Sequence, residues 1–188
     1  MASNITILHI SDLHRITEAN VDCLRASFNV EKEYYRANSI PMPSFIVVSG
    51  DIIQGSRETE PQKAQEEIRS QYEVAGRFLA GLCDIFFSGD RSRMIIVPGN
   101  HDVSQYVTRG CMSKIDADDY KPFVDSLWND DSNIRWSWKD LKFYTISDTV
   151  GYKRRFDNFI DFYNNFYRDV KWPERKYPGL VDAEAEVI

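Results

Sequence analysis

The tetrapeptide Gly99-Asn100-His101-Asp102 places an amide, an imidazole and a carboxylate in a single turn. It follows the apolar run Met94-Ile95-Ile96-Val97-Pro98, which reads as a buried strand. Two earlier segments repeat the arrangement. Ile5-Thr6-Ile7-Leu8-His9-Ile10 runs into Ser11-Asp12-Leu13-His14, and Phe45-Ile46-Val47-Val48 runs into Ser49-Gly50-Asp51. Each short apolar strand therefore delivers metal-type ligands just past its carboxyl end. That edge is where open α/β sheets bind their ligands.

The residue types suit that placement. Asp12 and His14 are two positions apart, so in an extended segment both side chains reach toward one point. A carboxylate oxygen beside an imidazole nitrogen suits Mn, Fe, Zn or Ni better than Mg or Ca, which prefer oxygen alone. Asp51 adds a second carboxylate, a group that can bridge two metals, and Gly50 lets the backbone turn sharply beneath it. Asn100 offers a neutral amide oxygen. His101 can hold or donate a proton near neutral pH. Asp102 is placed to fix its tautomer, as carboxylates do for functional histidines.

Together, Asp12-x-His14, Gly50-Asp51 and Gly99-Asn100-His101-Asp102 resemble the calcineurin-like metallophosphoesterase family over roughly residues 5–102. The resemblance implies an αββα sandwich carrying a dinuclear site of two divalent transition metal ions, manganese favoured over iron, zinc or nickel. It implies that Asp12 and His14 bind the first metal, that Asp51 bridges both, and that Asn100 binds the second. His101 would approach the phosphate and leaving group, with Asp102 behind it. The implied activity is metal-dependent hydrolysis of a phosphoester, most readily a phosphodiester; nucleotides and nucleic acids fall in that class.

Two positions depart from the family pattern. Gln54 stands where the family often has a second aspartate. The later histidines, including a Gly-His-x-His segment, are absent, because the only histidines are His9, His14 and His101. The expectation is therefore one domain over 1–188, forming the N-terminal portion of the fold, with a missing C-terminal region or a protein partner needed to complete the site. The rival reading is a non-catalytic interaction or regulatory module that keeps the fold and half the ligands.

Composition sets the frame for these residues. The chain has 188 residues, 43% hydrophobic and 28% charged, which suits one soluble globular domain with a real core. A net charge of -6 argues against attraction of nucleic acid to the whole surface. No apolar run reaches membrane-spanning length and no basic, apolar leader opens the chain. Cys23, Cys83 and Cys111 are scattered and unpaired in spacing, so inert core thiols in a reducing, cytoplasmic compartment are expected.

The elements that must position the three loops follow from periodicity and punctuation. Strands are expected at 5–10, 44–48 and 93–97, with helices at 19–37 and 61–82 between them. Pro41 and Pro43 close the first helix, and Pro61 opens the second. This β-α-β-α-β order argues for a parallel sheet. Beyond Asp102 the expected elements are a helix at 116–128, a strand at 141–146 and an aromatic helical stripe from Phe156 to Tyr167. The tail from Trp172 to Ile188 reads as irregular. His9 is expected to be a satisfied core histidine, and Lys153-Arg154-Arg155 a solvated face.

Overall fold

The structure, a computed structural model, describes residues 5–13 and 17–170. His14 and the stretch from Trp172 to Ile188 lie outside the described residues. Three parallel strands, β1 (Ile7–Ile10), β2 (Phe45–Ser49) and β3 (Met94–Val97), form a sheet in the order β1-β2-β3. Helices α1 (Glu18–Ala37) and α2 (Pro61–Phe87) make the crossovers. Both crossovers step in the same direction, so right-handedness puts both helices on one face. The register aligns Leu8 with Ile46 and Met94, and Ile10 with Val48 and Ile96, as the inward rows.

α2 is the spine of this layer. Pro61 occupies its first turn, where a missing N–H costs nothing. Ile68, Tyr72, Ala75, Phe78, Leu79 and Leu82 then bury one face against the sheet. Each large side chain fully withdrawn from water there contributes roughly 1.5–3 kcal/mol. The helix runs past the expected end at 82, because Cys83, Ile85 and Phe87 remain buried. It stops where Ser88 takes the left-handed conformation, φ 54°.

The second half departs further from expectation. The helix expected at 116–128 is only α4 (Lys121–Ser126), started by Pro122 in its first turn. The strand expected at 141–146 is β6 (Lys142–Ile146). It is the centre of an antiparallel sheet with β4 (Met112–Lys114) and β5 (Ile134–Ser137) on either side, two edge strands that the sequence pattern does not predict. Strands of three and four residues are too short to stand out as a period-two pattern. Short helices α3 (Gln105–Gly110) and α5 (Thr149–Lys153) flank this sheet. The aromatic stripe forms α6 (Asp157–Phe166), whose Phe159, Phe162 and Phe166 pack into the main core beside α2.

The mixed α/β architecture expected of a metallophosphoesterase is present. Among the described residues, helices cover one face of the parallel sheet. The other face leaves Ile7, Phe45, Ile95 and Val97 exposed. His9 lies on that open face rather than in the core, its Nε2 2.6 Å from Ser49 Oγ. Strand alternation decides this: His9 follows the inward-facing Leu8 and so points the other way. No helix among the described residues is long and apolar enough to cross a membrane.

Candidate active site

The sheet brings the three predicted loops to one edge, because parallel strands in register end together. Asp12 and Asp51 both sit in left-handed backbone, φ 60° and 53°. Aspartate tolerates that region better than most residues, yet it remains a conformation that folds hold chiefly where function requires it. Asp12 is therefore not extended, and strand alternation does not set its direction as the spacing with His14 implied.

The second and third loops are joined backbone to backbone. Gly50 has φ 87°, and a Cβ there would stand 2.7 Å from the Cα of Gly99. Only glycine permits both the turn and the approach. Asp51 Oδ1 accepts from the backbone N–H of His101 at 3.0 Å, which leaves Oδ2 for another partner.

Asp102 does something other than orient His101. It is 1% exposed. Its Oδ2 accepts from the N–H groups of Gly99 (2.8 Å) and Ile52 (3.2 Å), and its Oδ1 from that of Ile53 (3.3 Å). The single Tyr72 O–H is shared between Oδ1, at 3.3 Å, and the main-chain oxygen of Asp102, at 3.2 Å. Burial pushes this carboxyl up to about 6, against the lowering effect of the three amides. Burial first, and the Asp102 charge second, raise the Tyr72 phenol, so it stays a donor. The expectation that Asp102 fixes the imidazole is thus corrected: its carboxylate staples the second loop to the third.

The partner of His101 is a main-chain atom. Its Nδ1 lies 3.0 Å from the carbonyl oxygen of Gln54. A carbonyl only accepts, so the contact places an N–H on Nδ1. Nothing in the side chain of residue 54 signals this, since every residue type carries the same main-chain carbonyl.

Asp12, Asp51 and Asn100 supply two carboxylates and an amide oxygen on adjoining loops, a donor set suited to a divalent cation. Among the described residues, no group of three or more His, Cys, Asp or Glu side chains converges as a metal cluster. His14, the remaining expected ligand, lies outside the described residues.

Beside Asn100 and His101 opens a cavity of about 690 Å³, walled on its far side by the antiparallel sheet. Arg155 lines it. This residue is 4% exposed, its guanidinium 3.8 Å from the Tyr152 ring centre and 4.6 Å from that of Phe156. The solvated face expected of Lys153-Arg154-Arg155 therefore holds for the first two residues, which are exposed, and not for the third. Cys83 and Cys111 are buried as expected, whereas Cys23 is exposed on α1.

No curated protein and no solved structure matches the chain. A family model does, that of the calcineurin-like phosphoesterases, over residues 5–182. The match runs well past Asp102 and takes in the antiparallel sheet and α6. The three loops at the carboxyl ends of the parallel strands thus belong to a likeness that spans most of the sequence, and the chain is a member of the calcineurin-like phosphoesterase family.

Proposed function

We propose that this chain carries the catalytic loops of a metal-dependent phosphoesterase, with phosphodiesters as its preferred substrates. The family as a whole points to metal-dependent phosphoester hydrolysis. The observation that carries the reading for this chain is the pair of left-handed carboxylates, Asp12 and Asp51, at neighbouring strand ends. Asp12, Asp51 and Asn100, with His14, would hold two divalent transition metal ions. Manganese is favoured because it accepts oxygen donors as readily as imidazole. Bound there, the ions would lower the pKa of a water and neutralise charge on the phosphoryl oxygens.

The remaining work falls to the protein's own groups. Gln54 holds the proton on His101 Nδ1 and leaves Nε2 to carry the one that moves. Protonated, Nε2 can deliver that proton to the departing oxygen. Asp102 and Tyr72 keep the two loops in one relative position while this happens. The free thiols support a cytoplasmic setting.

The test is metal analysis and turnover on the longest native form of the protein. Hydrolysis of bis(p-nitrophenyl) phosphate that disappears with chelator and returns with Mn²⁺ is the expected result. Retained metal with no turnover of any phosphodiester would overturn it. A second reading, an interaction module, is favoured by one observation: the exposed apolar face of Ile7, Phe45, Ile95 and Val97. Failure of turnover together with binding of a partner on that face would establish the module instead.

A further inference from the structure

The cavity beside His101 has a far wall unlike the rest of the molecule. The chain carries a net charge of -6. Yet Arg57, Arg109, Arg135, Lys139 and Arg155 line this one cavity, against the single carboxylate of Asp140. That carboxylate is already engaged, accepting from Ser137 Oγ at 2.9 Å and from Tyr144 Oη at 3.1 Å. An anion entering the cavity therefore meets positive charge on several sides, focused by low-dielectric walls.

The same wall is aromatic. Trp136 packs edge-on against Phe143 of β6, ring centres 4.8 Å apart, so its position is set by the sheet. Trp138, in the turn that follows β5, meets Trp136 edge to face at 5.9 Å. Trp138 is nevertheless 77% exposed. An indole held by one edge with most of its surface in water is a platform for a flat partner. Two buried nitrogens of this wall, Arg135 Nε and Trp136 Nε1, have no acceptor among the described residues.

We propose that this wall is a subsite for the nucleobase of the substrate, so that the phosphoester is a nucleotide. The proposal rests on the phosphoesterase reading for the position of the scissile phosphate, next to Asn100 and His101. The base stacks on Trp138, and the cations hold the sugar-phosphate between base and loops. Stacking is tolerant of base identity because every base has a π-face. The flat ring, rather than base-edge hydrogen bonding, is what the subsite recognises.

Binding tests this without turnover. The chain has four tryptophans, and their indole N–H signals in ¹⁵N-labelled protein can be assigned by single Trp→Phe substitutions. With chelator present, adenosine 5′-monophosphate is expected to shift the Trp138 signal and bind about ten-fold more tightly than ribose 5-phosphate. The signal of Trp128, 83% exposed and away from the cavity, serves as the control for surface stacking and should not move. Trp138→Ala should abolish the ten-fold preference, and Trp138→Tyr should keep most of it.

Equal binding of the two phosphates would overturn the subsite, as would a preference that survives Trp138→Ala or no binding at all. O-phosphotyrosine amide binding as tightly as the nucleotide would overturn the nucleobase assignment. Turnover of bis(p-nitrophenyl) phosphate separates the two claims. Metal-dependent turnover without ring preference removes the subsite alone. Ring preference without turnover removes the phosphoesterase reading alone.

Discussion

The hydroxyl of Tyr72, in the middle of α2, donates to the Asp102 carboxylate from beneath the loops, at 3.3 Å. Tyr72 is itself clamped, its ring stacked on Phe162 of α6 with centres 4.8 Å apart and planes 16° from parallel. A line of contact thus runs from the α6 aromatic stripe through Tyr72 and Asp102 to the amides of Gly99, Ile52 and Ile53. The helices that build the core also set the spacing of the loops that carry Asp51 and Asn100.

Removing either end of that line should have unequal effects. Tyr72→Phe deletes one hydrogen bond and leaves the packing, so it should cost about 1 kcal/mol in urea unfolding. Asp102→Ala strands the buried amides of Ile52 and Ile53 and the half-buried one of Gly99, each costing about 1–3 kcal/mol, so its loss should exceed about 3 kcal/mol. Equal losses would show that the carboxylate does not staple the loops.

Gly50→Ala should be among the most damaging single-methyl changes in the protein. The left-handed backbone costs a residue with a Cβ about 1–2 kcal/mol. The added carbon also meets the Gly99 backbone at 2.7 Å, which cannot swing aside as a side chain would. A destabilisation of about 3 kcal/mol is expected, together with weaker metal retention. A drop below about 1 kcal/mol would mean that the loops are not held in contact.

His101→Ala should lose rate selectively. General acid assistance typically contributes about 10²–10⁴-fold. An alkoxide leaving group needs nearly all of that help and a nitrophenolate little. Steady-state rates on the two ester types, with metal content followed in parallel, read this out. Asp51→Asn should instead lower both rates and metal content. Gln54→Ala should leave both near wild type, because the backbone carbonyl that holds His101 is unchanged. Emptying of the metal site by His101→Ala would make that residue a ligand.

Alkylation of the native protein at pH 8 should consume one thiol, Cys23, which is exposed. Burial pushes the Cys83 thiol up to about 11. Only about a thousandth of it is then thiolate at pH 8, besides being inaccessible. The sign follows: a raised thiol pKa delays reaction to higher pH, so labelling of Cys83 should rise only as pH approaches 11 or as the chain unfolds. Burial likewise raises Cys111. Mass-spectrometric mapping of the label checks the order, and prompt labelling of Cys83 at pH 8 would contradict its burial.

Much of this was legible in the residues themselves. Apolar runs ending at Asp12, Asp51 and Asn100 mark the three strands and the edge at which those residues lie, because strand length and alternation are local properties. Proline placement marks the end of α1 and the start of α2, since proline acts through its own φ and missing N–H. Two things were not local. The roles of Asp102 and His101 are decided by backbone groups about fifty positions away, and main-chain amides and carbonyls carry no letter in a sequence. The cavity wall is assembled in three dimensions: Trp136 and Trp138 come from the β5–β6 hairpin, β4 joins β6 from farther along the chain, and Arg155 arrives from beyond α5. β6 is legible as a strand at 141–146, but its partners β4 and β5, of three and four residues, are too short to declare themselves. Residue type and strand ends thus tell which groups could do chemistry and at which edge, whereas the partner each group takes depends on packing between distant segments.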